Sequence, residues 1–308
     1  MSLLVLGTVA FDTIETPFGK ADRIIGGAGT YVAWASSHFY SDIKLVSVVG
    51  GDFPKSELDA LESRGVNMDG LEVREDEKSF FWAGRYHNNM NSRDTLATEL
   101  NVLETYSPVL PDSVKNVDYL MLGNFAPAVQ KSVLDQLESR PKLVAMDTMN
   151  FWMDIAMDEL KAVIKEVDVL TINDEEARQL SGEYSLVKAA QVILEMGPTH
   201  LIIKKGEHGA LLFHKEGMFY VPALPLEEVF DPTGAGDSFA GGFMGYLAKT
   251  DDSSFENMKR ALVCGSVVAS FCVEKFGPNK LKEISADDIS NRTNEFLSLM
   301  DISMAVEA

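Results

Sequence analysis

Cysteine is scarce in this 308-residue chain: only Cys264 and Cys272 occur. They stand eight apart in an apolar run that reads as a buried helix, about two turns apart on one side and too far for a disulfide. Such a pair implies reduced core cysteines in a cytoplasmic protein. The five histidines (His38, His87, His200, His208, His214) show no H-x-x-x-H spacing, and no C-x-x-C is present, which argues against structural zinc. No apolar run reaches the ~18 residues needed to cross a bilayer. The opening MSLLVLGTVAFD has no basic flank and is broken by Gly7 and Asp12, so it reads as a first buried strand of a soluble protein, not a signal peptide. Basic residues are also few. With 47 acidic against 27 basic side chains the net charge is −20, which excludes nucleic acid and anionic membrane as partners. Any anionic ligand therefore needs a locally positive pocket. Neither G-x-G-x-x-G after the first strand nor G-x-x-x-x-G-K-[ST] is found, which excludes dinucleotide and Walker phosphate loops.

What is present is ordinary globular composition, 46% hydrophobic and 24% charged, in a length that suits one large α/β domain with an appendage. Short apolar runs at Leu3–Thr8, Lys44–Val49, Tyr119–Leu122, Leu143–Met146, Val167–Ile172 and Leu201–Lys204 read as strands. Helical patterns near Tyr31–Phe39, Ser56–Ser63, Val129–Glu138, Asp158–Val167, Glu175–Leu180 and Val187–Met196 separate them. Continuous apolar strands between amphipathic helices predict a mainly parallel sheet covered on both faces. A hairpin around Lys215–Gly217 and helices at Gly236–Leu247, Phe255–Val273 and Ala286–Met300 complete the pattern. Residues 13–25 and 71–98 break it. They are polar, β-leaning and rich in aromatics, and the simplest geometry pairs them as a small β-sheet lid over a discontinuous core of 1–12, 26–70 and 99–308. An ordinary edge hairpin is the plain alternative.

The stretch DPTGAGDSFAGGFMGYLA, from Asp231, sets Asp237 inside a glycine turn at a helix start. Free N–H groups at such a mouth attract anions, and glycines let a ligand approach the backbone closely. A carboxylate there competes with a bound phosphate unless it has work beside one. Accepting the proton of an attacking hydroxyl while N–H groups hold the transferring phosphoryl oxygens is such work. An isolated G-D at a helix start would be a simple N-cap. The density of glycines and the preceding Asp231 favour the functional reading.

DPTGAGDSFAGGF resembles the C-terminal signature of the PfkB/ribokinase family of sugar and nucleoside kinases. Further landmarks follow in the family's order: GTVAFD, GGAGTYVA from Gly26, DTMN from Asp147, NDEE from Asn173 and KKGEHGA from Lys204. The resemblance covers nearly the whole chain and implies a ribokinase-like α/β fold with a β lid. It also implies an ATP- and Mg²⁺-dependent kinase that moves the γ-phosphoryl group to a hydroxyl of a small polyol, a sugar or the sugar of a nucleoside. On this resemblance Asp237 is the general base, and the N–H groups of Gly234, Ala235, Gly236 and Asp237 form the anion hole. Asp12 binds substrate hydroxyls, with a turn-capping role as the plain alternative, and Gly26 and Gly27 form the lid hinge. Asn124 falls among the substrate-side residues. Asn173 and Glu176 arrange water and Mg²⁺, although NDEE alone would read as a helix cap. Gly206 and Gly209 flank the nucleotide. Lys204, where many members carry threonine, is suited to pair with phosphate, unless it is a solvent-exposed strand end. Many relatives are activated by a monovalent cation, and the resemblance places a candidate K⁺ site near Asp231, Thr233 and Ser270–Gly277, with dependence on the ion left open.

The chain departs from ribokinase at two sugar-binding asparagines, replaced by Tyr31 and Ala10. Trp82, Arg85, Tyr86 and Arg93 of the lid compensate by stacking on or gripping a substrate, with lid core packing the plain role for Phe80–Trp82. A stacked nucleoside, a cyclitol such as inositol, or a non-catalytic ligand sensor on the same fold remain as alternatives. A homodimer through the lid is a further expectation.

Overall fold

The computed structural model describes residues 1–301; the last seven, assigned to the core with the rest of 99–308, lie outside them. In chain order the strands are β1 (Leu3–Leu6), β2 (Ala10–Thr16), β3 (Gly19–Gly26), β4 (Ile43–Gly50), β5 (Val66–Arg74), β6 (Phe80–Tyr86), β7 (Arg93–Glu99), β8 (Tyr119–Leu122), β9 (Leu143–Asp147), β10 (Val169–Asn173), β11 (His200–Lys204), β12 (Ala210–His214) and β13 (Gly217–Val221). Nine form one sheet in the order β13-β12-β11-β10-β9-β8-β1-β4-β5, parallel from β11 to β5 and antiparallel at β12 and β13. Every residue of β1 and β8 is buried, as expected of strands with helices on both faces. Alternation then divides the core: Leu3 and Val5 join one apolar cluster, Leu4 and Leu6 the other.

The two polar excursions do pair. β3, β2, β6 and β7 make a separate four-stranded sheet in which β2 and β6 run parallel. Its limits differ from the sequence expectation at both ends. The sheet begins at Ala10, so Asp12 and Gly26 are lid-strand residues. Leu71–Arg74 instead belongs to β5, where Leu71 pairs with Ser47 and Val73 with Val49.

Three of the five glycines in the Asp231 stretch serve packing. The helix Ala235–Thr250 lies against the helices Ala28–Ser36 and Phe255–Cys272. A Cβ on Gly241 would meet the Val32 carbonyl oxygen at 2.6 Å, one on Gly245 the Ser36 carbonyl at 2.8 Å, and one on Gly242 the Cys264 carbonyl at 3.0 Å. Cys264 and Cys272, on the third of these helices, are free thiols.

At the end of the sheet remote from the C-termini of its parallel strands, His200 and His214 stack with ring centroids 4.3 Å apart and planes at 4°. Burial, reinforced by His214, lowers the His200 pKa from 6.5 to about 4, and its Nε2 has no partner. Lys215 opposes protonation further, while the Asp168 backbone favours it. A depressed histidine pKa means the unfolded chain binds more protons between these values, so stability is lost as pH falls from 6.5 towards 4. We expect the His200→Phe variant to lack that part of the fall in melting temperature. Equal slopes in the two proteins across this window would show that the stack does not titrate.

Candidate active site

The C-terminal ends of three neighbouring parallel strands converge on one spot. Asp147 ends β9, Asn173 ends β10 and Lys204 ends β11, in a crevice of the kind in which open α/β sheets bind ligands. The mouth of the helix Ala235–Thr250 faces them. Gly234 is its N-cap in the left-handed region, φ +75°, and a Cβ on Gly236 would lie 3.1 Å from Lys204 Nζ. Asp237 sits in the first turn, partly accessible at the floor of this cleft.

The environment of Asp237 shifts its titration. Burial first, then the Asp147 charge, raises its pKa to about 6, while Lys204, Arg93 and its own backbone N–H pull in the other direction. Of the four N–H groups expected to form an anion hole, Ala235 donates to the Pro232 carbonyl at 3.2 Å. Those of Gly234, Gly236 and Asp237 have no backbone partner among the described residues.

Lys204 is neither in solvent nor available to a phosphate alone. Its ammonium donates to Asp147 Oδ2 at 2.8 Å. Burial works against its charge, but Asp147, Glu176 and Asp237 outweigh it and raise its pKa. Asp147 is the partner that the sequence did not assign, although it opens the DTMN landmark. Asn173 and Glu176 form a reciprocal capping box: Asn173 Oδ1 accepts from the Glu176 N–H, and Glu176 Oε2 from the Asn173 N–H. The plain helix-start role is thus realised. Glu176 is nevertheless buried beside Asp147, and burial first, then that charge, raises its pKa to about 7. Among the described residues no group of three or more His, Cys, Asp or Glu side chains could cage a metal. A magnesium ion here would be held chiefly by phosphate and water oxygens, with Glu176 and Asn173 ordering the water, as suits an ion that dehydrates reluctantly.

A second group of residues lies under the lid. Asp12 on β2 is buried against Gly26, where any Cβ would overlap its carboxyl. Burial, then Asp231 and Asp237, raises the Asp12 pKa to about 7 against the opposing N–H of Gly27. Gly27, at φ +91°, caps the helix Ala28–Ser36. Asp231 is fully buried; its two oxygens accept from the N–H groups of Thr233 and Gly277, each at 2.9 Å.

Tyr31 occupies a different place from that of a substrate contact. Its ring lies flat on Gly234, whose Cβ would come within 2.5 Å of both Cδ atoms. Its hydroxyl is buried without a partner. A buried unpaired hydroxyl costs stability, so Tyr31→Phe is expected to gain about 1 kcal/mol in chemical denaturation with acceptor KM changed less than about twofold. A rise in KM beyond about tenfold would return the hydroxyl to substrate recognition.

The lid residues divide between two faces. Trp82, Gly84 and Tyr86 alternate on the face towards the cleft, and Tyr86 Oη accepts a 3.1 Å bond from Thr233 Oγ1, next to the anion hole. Arg85 points the other way and pairs with Glu15 of β2 through Nε at 2.9 Å, so it is not a cleft residue. Arg93 opens β7 directly opposite Tyr86 and lies 5.7 Å above the Trp82 ring. Asn124 has its amide engaged by Trp152 Nε1 at 2.9 Å and by Met149 Sδ at 3.1 Å, so its contacts are structural. Gly206 (φ +53°) and Gly209 (φ +83°) bound the turn after β11. There Asn91, from the β6–β7 tip, donates to Glu207 Oε1 at 3.2 Å, a contact between residues 116 apart that no motif signals.

A parallel sheet whose strand ends face a carboxylate in a glycine helix mouth, beneath a β lid, defines a phosphotransferase for small hydroxylated substrates. The chain belongs to the pfkB family of carbohydrate kinases, whose profile matches residues 10–284. It is 30% identical over 251 residues to a cytidine kinase from Thermococcus kodakarensis, covering 79% of this chain and 87% of that one. A nucleoside kinase from Methanocaldococcus jannaschii has the same fold, with a TM-score of 0.76 at 20% identity over 96% of this chain and 99% of that chain. So does a ribokinase II candidate from E. coli solved with ATP and Mg²⁺, with a TM-score of 0.79 at 19% identity over 96% and 99%. The protein is a carbohydrate or nucleoside kinase, transferring phosphate to a hydroxyl. No helix of the described residues is long and apolar enough to cross a membrane.

Proposed function

We propose that the chain phosphorylates a hydroxyl on the sugar of a nucleoside, with ATP as donor, Mg²⁺ as its counter-ion and Asp237 as general base. The observation that carries this reading is the position of Asp237, in a helix mouth where the N–H groups of Gly234 and Gly236 have no backbone partner among the described residues, and within the fields of Asp147, Lys204 and Arg93. The acceptor oxygen forms its bond to the γ-phosphorus as the bond to the bridging oxygen of ADP breaks, and its proton passes to the Asp237 carboxylate. The N–H groups of Gly234, Gly236 and Asp237 receive the charge of the transferred group. Bound Mg²⁺ neutralises phosphate charge. Asp12, able to accept two hydroxyl bonds at once, suits a vicinal diol.

Similarity to the cytidine kinase supports a nucleoside over a free sugar. ADP release should be measured with cytidine, other nucleosides, ribose and inositol, each with and without K⁺. Turnover greatest with a nucleoside is the expected result. Turnover confined to inositol or free ribose would overturn the substrate class.

A further inference from the structure

The cleft has a shortage of positive charge. Asp12, Asp147, Glu176, Asp231 and Asp237 surround it, and Lys204 is already committed to Asp147. A nucleoside triphosphate adds several negative charges, and phosphoryl transfer spreads them over the equatorial oxygens of the moving group. Arg93, on the lid, and Lys205, in the turn after β11, have neither an ion pair nor a side-chain hydrogen bond among the described residues, and of the two Arg93 is carried on the lid.

Its placement is built into the lid. Arg93 is the cross-strand partner of Tyr86, whose hydroxyl touches Thr233 one residue before the anion-hole glycine. Trp82 supports the guanidinium from below at 5.7 Å. Gly84 gives the Trp82 ring room to lie across the lid surface, since any Cβ there would overlap the ring. The turn that precedes Arg93 meets the nucleotide-side turn, where Asn91 donates to Glu207 and a Cβ on Gly206 would come within 2.5 Å of Asn91 Oδ1. The hairpin that brings Arg93 over the cleft is therefore fastened at its tip to the turn beside the nucleotide.

On the kinase reading above, we propose that Arg93 is a catalytic cation delivered by the lid, binding the γ-phosphoryl oxygens opposite the anion hole, and is not a grip on the acceptor. Its charge already acts on both Asp237 and Glu176, lowering the pKa of each. A planar guanidinium can hold two phosphoryl oxygens at once, which an ammonium cannot. The Asn91–Glu207 contact links arrival of the cation to closure on the nucleotide.

The test compares Arg93→Met and Arg93→Lys with the parent protein on whichever acceptor the panel identifies. Arg93→Met is expected to lose roughly 10²–10³-fold in kcat, with both KM values within about threefold, and Arg93→Lys to recover part of the loss. The second readout is binding of MgADP with aluminium fluoride and acceptor, which mimics the transferring group. Affinity for this mixture should fall about a hundredfold in Arg93→Met, while that for a non-hydrolysable ATP analogue stays within about threefold. A kcat within about threefold of the parent, or a loss confined to acceptor KM, would overturn the proposal. If the parent turns over nothing in the panel, the nucleoside reading fails. The aluminium fluoride comparison with nucleotide alone then still decides the role of Arg93, equal affinities counting against it.

Discussion

Asp237→Asn is expected to reduce kcat by roughly 10²–10⁴-fold, the contribution of a positioned general base, while ATP-analogue affinity stays within about threefold. The asparagine keeps the size and polarity of the side chain at the helix mouth but cannot take a proton. The wild-type pH profile supplies the second half of the argument. With a pKa raised to about 6, the carboxylate is mostly ionised at neutral pH, and activity should decline tenfold per unit as pH falls below 6. Stability should move in the opposite direction. A carboxyl whose folded pKa exceeds its ordinary 3.8 favours the fold while protonated and loses that advantage as pH rises through about 6. The variant should therefore melt above the parent at pH 8, with the gap closing by pH 4. Near-normal turnover, with the acid limb unchanged, would remove Asp237 from its proposed role.

That trade between stability and chemistry could be read only in part from the sequence. Continuous apolar runs declared their strands well: Tyr119–Leu122 is a strand over the predicted residues, and the last helix spans Ala286–Met300 as expected. β5 was missed because it is an edge strand whose VNMDGLEVR leaves much of one face in water, so its apolar signal is diluted. The error at Arg85 was avoidable. Residues one apart on a strand face opposite ways, so Arg85 and Tyr86 could not both line the cleft. The partner of Lys204 was hidden for a different reason. Asp147 lies 57 residues earlier and meets it only because β9 and β11 flank β10, an adjacency set by sheet order. The replacement of asparagine by Tyr31 was visible as a lost polar contact, yet nothing local showed that the ring would brace Gly234.

The bracing leads to the second large effect. Gly234→Ala is expected to destabilise the protein by roughly 2–4 kcal/mol and to cut kcat at least about a hundredfold. Two causes act together. At φ +75° an alanine is strained wherever it stands, and here its methyl would also press within 2.5 Å of the Tyr31 ring atoms Cδ1 and Cδ2. Neither side can retreat freely. Tyr31 is 1% exposed within the core, and Gly234 is tied to the helix by its carbonyl, which accepts from the Ser238 N–H at 2.8 Å. The backbone must turn instead, and with it the N–H groups of Gly234 and Gly236 change direction, away from the proposed anion hole. A cycle with Tyr31→Ala separates the causes. Removing the ring should return the steric part of the stability loss, leaving about 1 kcal/mol for the left-handed backbone. Turnover should stay low in the double variant, because the ring that fixes the loop is then absent. Full recovery of kcat in the double variant would show that Tyr31 obstructs the loop, when the packing argues that it holds the anion hole in place.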